Sequence, residues 1–546
     1  MAVPWAVDMA SRLRAACRAQ QTHWPGFCTE TDSRHGICYG GFSRELCLTG
    51  AARSAHHARM DAQPLYQRLA DHYRRAIDSG VLAPAERMPS VRTLVRTHRV
   101  SLSTALQACR QLEDDGLIEA RPRSGYFVRP RHRAAMLPAS EPDPRQPLDP
   151  ASYVGIHDRV SDFIAQCDRH VTSVNLALAA ASPAHYPADA LKQAMIRTLR
   201  ARPEMLVSRV PPLGHPELRG VLARRALELG MGLAPDEIIV THGCIEAVNL
   251  ALRAVARPGD TVAVESPVYF GLLQILESLG MRALEIPTSP QHGMSVDALE
   301  LALQTHPHLR AVVVVPNFQN PLGCVMPDAE KARLAMLCER HQVALIEDDT
   351  YGMLSDDNQP PPAIKSWDRT GNVIYCASMH KTLAPGMRLG WMTGGRWGSR
   401  LAMLKFAQSR PNEPLAQAAV AEYLASKAYD RHLARLRRQL KTQREQVADA
   451  IARHFPPGTR LNVPQGSMLL WVEMPGQRSS MRVFEQALAH GIRIAPGTMF
   501  SNSDRYSHFL RLSCGAAYTP QIAQAVSTLG DIVAAADRTA RDSVRN

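Results

Sequence analysis

Apolar residues follow a helical period near the N-terminus. After a proline-rich break, helical and strand periods alternate. Leu65, Leu69, Tyr73 and Ile77 recur at helical spacing, and Gly80 is placed to close that helix. Ser90 is suited to cap a second helix over about 91–98. Ser101 is suited to cap a third, with Ala105, Leu106, Cys109 and Leu112 on one side and Gly116 as its stop. Short strands are expected around 117–120 and 126–128, with a turn over 122–125 between them.

Pro130, Pro138, Pro142, Pro144, Pro147 and Pro150 then mark a semi-rigid linker. From about 165, strand patterns "EIIVT" (237–241), "TVAVE" (261–265), "AVVVV" (311–315), "VALIE" (343–347) and "NVIYCA" (372–377) alternate with helical ones. This predicts an α/β domain with a largely parallel sheet, whose chemistry sits at the C-terminal strand ends. Residues 1–60 have little periodicity and hold Cys17, Cys28, Cys38 and Cys47, so a poorly ordered extension is expected. Met60 directly precedes the first helix and is a candidate start, which the intact mass of the native protein tests. The expected division is 1–60 extension, 61–130 small helical and β-winged unit, 131–164 linker, 165–537 α/β domain and 538–546 tail.

Composition narrows the class. A chain of 546 residues with 45% hydrophobic and 21% charged content is ordinary globular protein of several domains. No run of 18 apolar residues suggests a membrane span, and Arg12 and Arg14 break the only apolar stretch a signal peptide could use. Eleven scattered cysteines without zinc spacing read as reduced thiols of a cytoplasmic protein, with no metal site. The net charge of +12 is unevenly spread: residues 64–133 hold thirteen Arg, no Lys and seven Asp plus Glu. That density fits a phosphate-backbone footprint.

Helix, helix, turn, helix and wing is the layout of a winged helix-turn-helix, an α+β fold whose third helix enters the major groove of double-stranded DNA. Candidate contacts are Ser101, Ser103 and Thr104 at that helix start and Arg87, Ser90 and Arg92 around the second helix. Arg123, Ser124 and Gly125 are candidates at the wing tip. The whole stretch from "PLYQRLADHYRRAIDSG" through "PSVRTL", "LEDDGLI" and "SGYFV" resembles a GntR-type DNA-binding domain, though Leu102 stands where many members carry Arg.

The stretch "SMHKTLAPGMRLG" (378–390) carries the second chemistry. A lysine just past a strand can form a Schiff base with an aldehyde cofactor if its ammonium is destabilised. Pyridoxal 5'-phosphate (PLP) would also need a carboxylate at the ring nitrogen, donors to the ring O3', an aromatic on the ring face and a phosphate cradle. Asp348 and Tyr351 of "IEDDTYG", Asn320 of "PNFQNPLG" and Tyr269 of "ESPVYF" are placed for the ring. The amides of Gly243, Cys244 and Ile245 in "THGCIEAVNL", with Ser378 and Arg388, suit a phosphate, and Arg511 of "FLRLSCG" suits a carboxylate.

Singly these signals are weak; six in fixed order are specific. From about 170 to 535 the chain resembles class I and II aminotransferases, PLP fold type I with a small α/β subdomain. That resemblance implies Lys381 as the aldimine lysine and Asp348 as partner of the ring nitrogen. It gives Tyr351 and Asn320 to O3', Ser378 and Arg388 to the phosphate, and Arg511 to a substrate carboxylate. His380 departs from the usual Ser, and Cys244–Ile245 from a polar pair.

Together the two units resemble the MocR-type subgroup of bacterial regulators. The resemblance implies a homodimer that senses an amino acid or amine through exchange of the internal aldimine, and so repositions its winged domains on an operator. Three alternatives stand beside it. The chain could be an active aminotransferase with an accessory DNA-binding domain, a regulator whose effector is PLP itself, or a pocket kept as a dimerisation scaffold.

Overall fold

A computed structural model describes residues 64–536, apart from 79–80, 84, 122–123, 130–135, 144–145, 147 and 358. Residues 1–60, Gly80, Arg123 and the tail 538–546, for which the sequence raised expectations, lie outside the described residues.

The winged unit has the expected elements: α1 (Leu65–Asp78), α2 (Val91–His98), α3 (Leu102–Asp114), β1 (Ile118–Arg121) and β2 (Gly125–Val128). The two strands pair antiparallel, from Ile118 opposite Val128 to Arg121 opposite Gly125. Leu69 and Tyr73 of α1, Leu94 of α2 and Ala105, Cys109 and Leu112 of α3 bury into one core with Ile118 and Val128. Leu106 is only half-buried; Ala108 takes the inner position. Gly116 follows α3 at φ 69°, a left-handed conformation that glycine adopts without strain.

The segment expected as a linker is largely built into the next domain. Within it, β3 (Ser152–Tyr153) pairs antiparallel with β7 (Arg282–Ser289), and α4 (His157–Asp168) follows. Ala139, Val154, Ile156 and Val160 are buried in the same core as Ile239 and Val264. Ser140 donates from its amide to Glu473 at 2.7 Å and from its hydroxyl at 2.9 Å. The prolines keep this stretch extended, and its spaced apolar residues anchor it. Composition alone exposes the first property and hides the second.

The central sheet comprises β5 (Ile238–Thr241), β6 (Thr261–Ser266), β9 (Leu309–Val314), β10 (Ala344–Asp348), β11 (Val373–Ser378) and β12 (Gly390–Thr393) besides β3 and β7. Its order is β3–β7–β6–β9–β10–β11–β12–β5, with β8 (Gly293–Met294) paired to β7. β7, β6, β9, β10 and β11 are parallel; β12 runs antiparallel to both neighbours. Interior strands such as β9 are apolar on both faces because helices cover both. All five predicted strands are present, within two residues at each end. The smaller subdomain carries an antiparallel sheet of β13 (Arg460–Asn462), β14 (Leu469–Glu473), β17 (Phe509–Ser513) and β16 (Ala495–Pro496). Beside it β15 (Ile492–Arg493) pairs with β4 (Val174–Asn175), which ties the chain after α4 to this subdomain. No helix among the described residues is long and apolar enough to cross a membrane, and no cluster there could hold a metal ion.

Candidate cofactor site and DNA-facing surface

Five chain segments converge at the carboxyl ends of the central strands. β10 ends in Asp348, whose Oδ1 accepts from the Thr350 amide at 3.1 Å, the Thr350 hydroxyl at 2.6 Å and the Cys244 thiol at 3.1 Å. Burial raises the Asp348 pKa, and these hydrogen bonds and Lys381 oppose that rise. Asp348 as a residue is half-buried, and these three donors all reach Oδ1. Cys244 thus turns away from the phosphate side and serves the carboxylate. Sequence reading assigned only its amide.

β11 ends in Ser378, and Lys381 follows three residues later. Lys381 Nζ donates to the Ala179 carbonyl and lies 5.8 Å from the Tyr351 ring centre. Burial first, then Arg511, pulls its pKa down to about 8, with Asp348 opposing. An amine with a pKa of about 8 keeps a minority neutral, nucleophilic fraction near pH 7, far larger than an ordinary lysine does. Tyr351 is buried, which raises its phenol pKa.

The phosphate-type cradle forms where β5 turns into the helix Cys244–Val255. Gly243 caps that helix at φ 91° and has no side chain to occupy the amides. A Cβ there would point into the cradle, 3.6 Å from Arg388 Nη2 and 3.9 Å from Ser378 Oγ. Arg388 donates to the His242 carbonyl at 3.2 Å and to His380 Nδ1 at 3.3 Å. Burial, with Lys381 and Arg388 nearby, holds His380 down at about 4. His380 is therefore neutral and acts as an acceptor that orients Arg388. Free helix amides, a hydroxyl and a guanidinium around a space only glycine leaves open fit a phosphate group.

Tyr269, half-buried, lies so close over Gly271 that a Cβ at Gly271 would fall 2.4 Å from its ring. Across the cleft, Arg511 on β17 is almost fully buried. Its Nη1 donates to Asn320 Oδ1 at 3.1 Å, its Nη2 to the Ala177 carbonyl, and its Nε meets no hydrogen-bond partner among the described residues. The structure therefore brings Gly243, Cys244, Tyr269, Asn320, Asp348, Tyr351, Ser378, Lys381, Arg388 and Arg511 to one cleft. Ile245 lies on the same helix start with its side chain exposed.

Sequence reading missed two features of this cleft. The strap 175–181 places the Ala177 and Ala179 carbonyls on Arg511 and Lys381, and backbone oxygens carry no residue signature. Glu246 and Lys405 form an ion pair beneath the cradle at 2.8 Å. Glu246 in a first helical turn was a visible signal, but its partner lies 159 residues away.

On the winged unit, the Ser90 hydroxyl accepts from the Thr93 amide at 3.1 Å and Ser101 from the Thr104 amide at 3.1 Å. Ser101 Oγ also lies 2.8 Å from both Ser103 Oγ and Thr104 Oγ1. These hydroxyls are tied to helix starts before any DNA arrives. Arg92 is exposed on α2, and the Arg87 guanidinium lies near the wing's Gly125, whose added Cβ would be 3.7 Å from Arg87 Nε. Ser124 and Gly125 are exposed at the wing tip, and Leu102 stands exposed at the start of α3.

The comparisons with known proteins divide the chain the same way. A family model for "Bacterial regulatory proteins, gntR family" matches residues 65–128, and one for "Aminotransferase class I and II" matches residues 173–529. The uncharacterized HTH-type transcriptional regulator YdcR of Escherichia coli (strain K12) is 36% identical over 468 residues, 86% of this chain and 98% of that protein. The probable rhizopine catabolism regulatory protein MocR of Rhizobium meliloti is 27% identical over 79% of this chain and 86% of its own. Among solved structures, the α-aminoadipate aminotransferase LysN of Thermus thermophilus, complexed with N-(5'-phosphopyridoxyl)-L-leucine, superposes with a TM-score of 0.63. It is 26% identical and covers 69% of this chain and 95% of that one.

Proposed function

Because this chain belongs to the MocR-type regulators, a GntR-type DNA-binding domain fused to a class I and II aminotransferase domain, we propose that it is a transcriptional regulator governed by an amino acid or amine bound at Lys381. The cofactor of the aminotransferase domain is pyridoxal 5'-phosphate. When bound, it supplies an aldehyde carbon that exchanges primary amines and a ring that withdraws electron density.

In this reading, the amides of Gly243, Cys244 and Ile245, the Ser378 hydroxyl and Arg388 hold the phosphate. Asp348 would pair with the ring nitrogen, and Thr350 and Cys244 fix that carboxylate's orientation. Tyr351 and the Asn320 amide would hold O3', and Tyr269 would cover a ring face. Lys381, whose pKa the cleft lowers, would supply the primary amine for that aldehyde chemistry. Arg511 receives the ligand's carboxylate in place of the Ala177 carbonyl, so ligand entry displaces the strap 175–181.

That strap continues, through β4 and α4, the segment leading out of the winged domain. Displacing it gives the ligand a route to the DNA-binding end of the chain. Regulation follows only if the ligand favours one strap position over the other. On DNA, Arg87, Arg92 and Arg123 would hold phosphates. Ser90 and Ser101 would set the helix starts, with Ser103, Thr104, Ser124 and Gly125 at the groove.

The observation that carries this reading is one cleft holding Lys381, Asp348 and Arg511, in a chain that also keeps an intact winged unit. The same cleft suits an aminotransferase with an accessory DNA-binding domain. Titrating PLP-loaded protein with a panel of amino acids and amines, while following its visible absorption and any keto acid released, separates the two. A ligand that shifts the band without keto acid supports the sensor. Stoichiometric keto acid supports the enzyme. No spectral response to any ligand overturns both.

A further inference from the structure

Beneath the cradle lies a buried charged network that no step above uses. Glu246 is the third residue of the helix Cys244–Val255, and its Oε2 reaches back past the glycine cap to accept from the His242 amide at 2.6 Å. Lys405, fully buried on the helix Gly398–Gln408, donates to Glu246 at 2.8 and 3.1 Å and to Asn412 Oδ1 at 3.2 Å, and lies 3.1 Å from His242 Nδ1. The Ser409 hydroxyl also donates to Glu246. Asn412 Nδ2 donates to the Thr241 carbonyl at 3.1 Å and reaches the Arg388 carbonyl at 3.5 Å. The Thr241 hydroxyl holds the Gly243 carbonyl at 3.0 Å.

The network touches both walls of the cradle. His242 is pinned at its amide by Glu246 and at its carbonyl by Arg388, and Arg388 is tied back through Asn412. Yet a carboxylate in the first turn of this helix repels a phosphate dianion held at the same N-terminal amides. Lys405 offsets that charge and has no exposed surface through which to meet the phosphate itself. A buried pair of this kind is costly to break on one side and tolerable to remove whole.

We propose that Glu246 and Lys405 are the positioning residues of the phosphate cradle: Glu246 fixes the turn that presents its amides, and Lys405 neutralises Glu246 so that a phosphate dianion can enter. This rests on the PLP reading of the site. The role is specific to the phosphate, so it distinguishes PLP from pyridoxal, which lacks one.

The test measures apparent dissociation constants of the full-length apoprotein for PLP and for pyridoxal, by visible absorption with borohydride trapping. In Lys405→Met, PLP affinity should fall by about tenfold or more while pyridoxal affinity stays within about threefold, because Glu246, left with only the His242 and Ser409 donors, keeps a negative charge at the helix start that repels a phosphate dianion and not an uncharged alcohol. In Lys405→Met/Glu246→Gln, PLP affinity should return to within about threefold of wild type, since both charges are gone and an acceptor for the His242 amide remains. Equal losses for both cofactors, or a double variant no better than the single one, would mean the pair only supports the fold and would overturn the proposal. So would an unchanged PLP affinity in Lys405→Met.

If Lys405→Met does not fold, Glu246→Gln decides. It should keep the PLP-to-pyridoxal affinity ratio within about threefold of wild type or raise it, and a drop of about fivefold or more overturns the charge argument. Failure of wild-type protein to take up PLP at all would sink the cofactor assignment, a result distinct from either variant outcome.

Discussion

Two helix starts in this molecule meet the same demand in opposite ways. At α3 the Ser101 side chain accepts from the Thr104 amide, so one of the helix's free donors is satisfied internally. At the helix Cys244–Val255 the cap is Gly243, which supplies no capping side chain. The first helix is stabilised and stiffened in advance for a surface role. The second leaves its donors and the positive end of its dipole to a ligand. A capped helix start has spent part of its binding capacity on folding. An uncapped one in a closed cleft keeps it for binding, and the protein must then hold the turn by other means, here Glu246, Thr241 and Arg388.

The largest expected effect comes from giving the open start a side chain. Gly243→Ala places a methyl between Arg388 and Ser378 and forces φ 91° on a residue that resists it, a strain of about 1–3 kcal/mol. PLP affinity should fall by roughly tenfold or more, and unchanged affinity in a spectral titration would show that the phosphate does not use this cradle. Arg511→Ala should weaken amino-acid ligands by about tenfold while simple amines lose little, since a bidentate carboxylate partner is removed. Equal losses in the ligand titration would remove Arg511 from carboxylate binding.

The opposite manipulation is smaller. Ser101→Ala should destabilise the winged unit by about 1 kcal/mol and Ser101→Gly by only a few tenths, read from hydrogen exchange of the α3 amides. If Ala and Gly cost the same, the cap is not what Ser101 provides. Arg92→Ala leaves the caps intact and should lower the slope of log affinity against log salt by about 1 for DNA binding. An unchanged slope would take Arg92 off the phosphates.

A pH series sharpens the cofactor side. The Lys381 pKa is depressed to about 8, so its reactive neutral form grows as pH rises through that value. Trapping of PLP by the apoprotein should therefore speed up from about pH 6.5 to about pH 9 with a midpoint near 8. A midpoint above about 10 would mean that the cleft does not destabilise the ammonium.

Much of this site could be read without coordinates, for a local reason. Gly243, Asp348, Ser378 and Lys381 each lie at a strand end or a helix start, and strand and helix periods mark those places in the sequence. The caps at Ser90 and Ser101 were legible on the same ground, because their partners lie three residues on. The strap was not. The partners of Arg511 stand 191 and 334 residues away, and one of them is a backbone carbonyl. Nor was the fate of the proline-rich segment, whose composition signals extension but not that Ala139, Val154 and Ile156 are buried.

By itself, then, the amino-acid order determined two units, their element types and the candidate side chains for DNA phosphate and cofactor. Those follow from period, capping and motif, which act over a few residues. Tertiary structure alone decided which donors and acceptors are already occupied: Cys244 by Asp348, Arg511 by Asn320, Lys405 by Glu246. Buried polar groups must find partners wherever packing brings them, and that choice is made across the fold rather than along the chain.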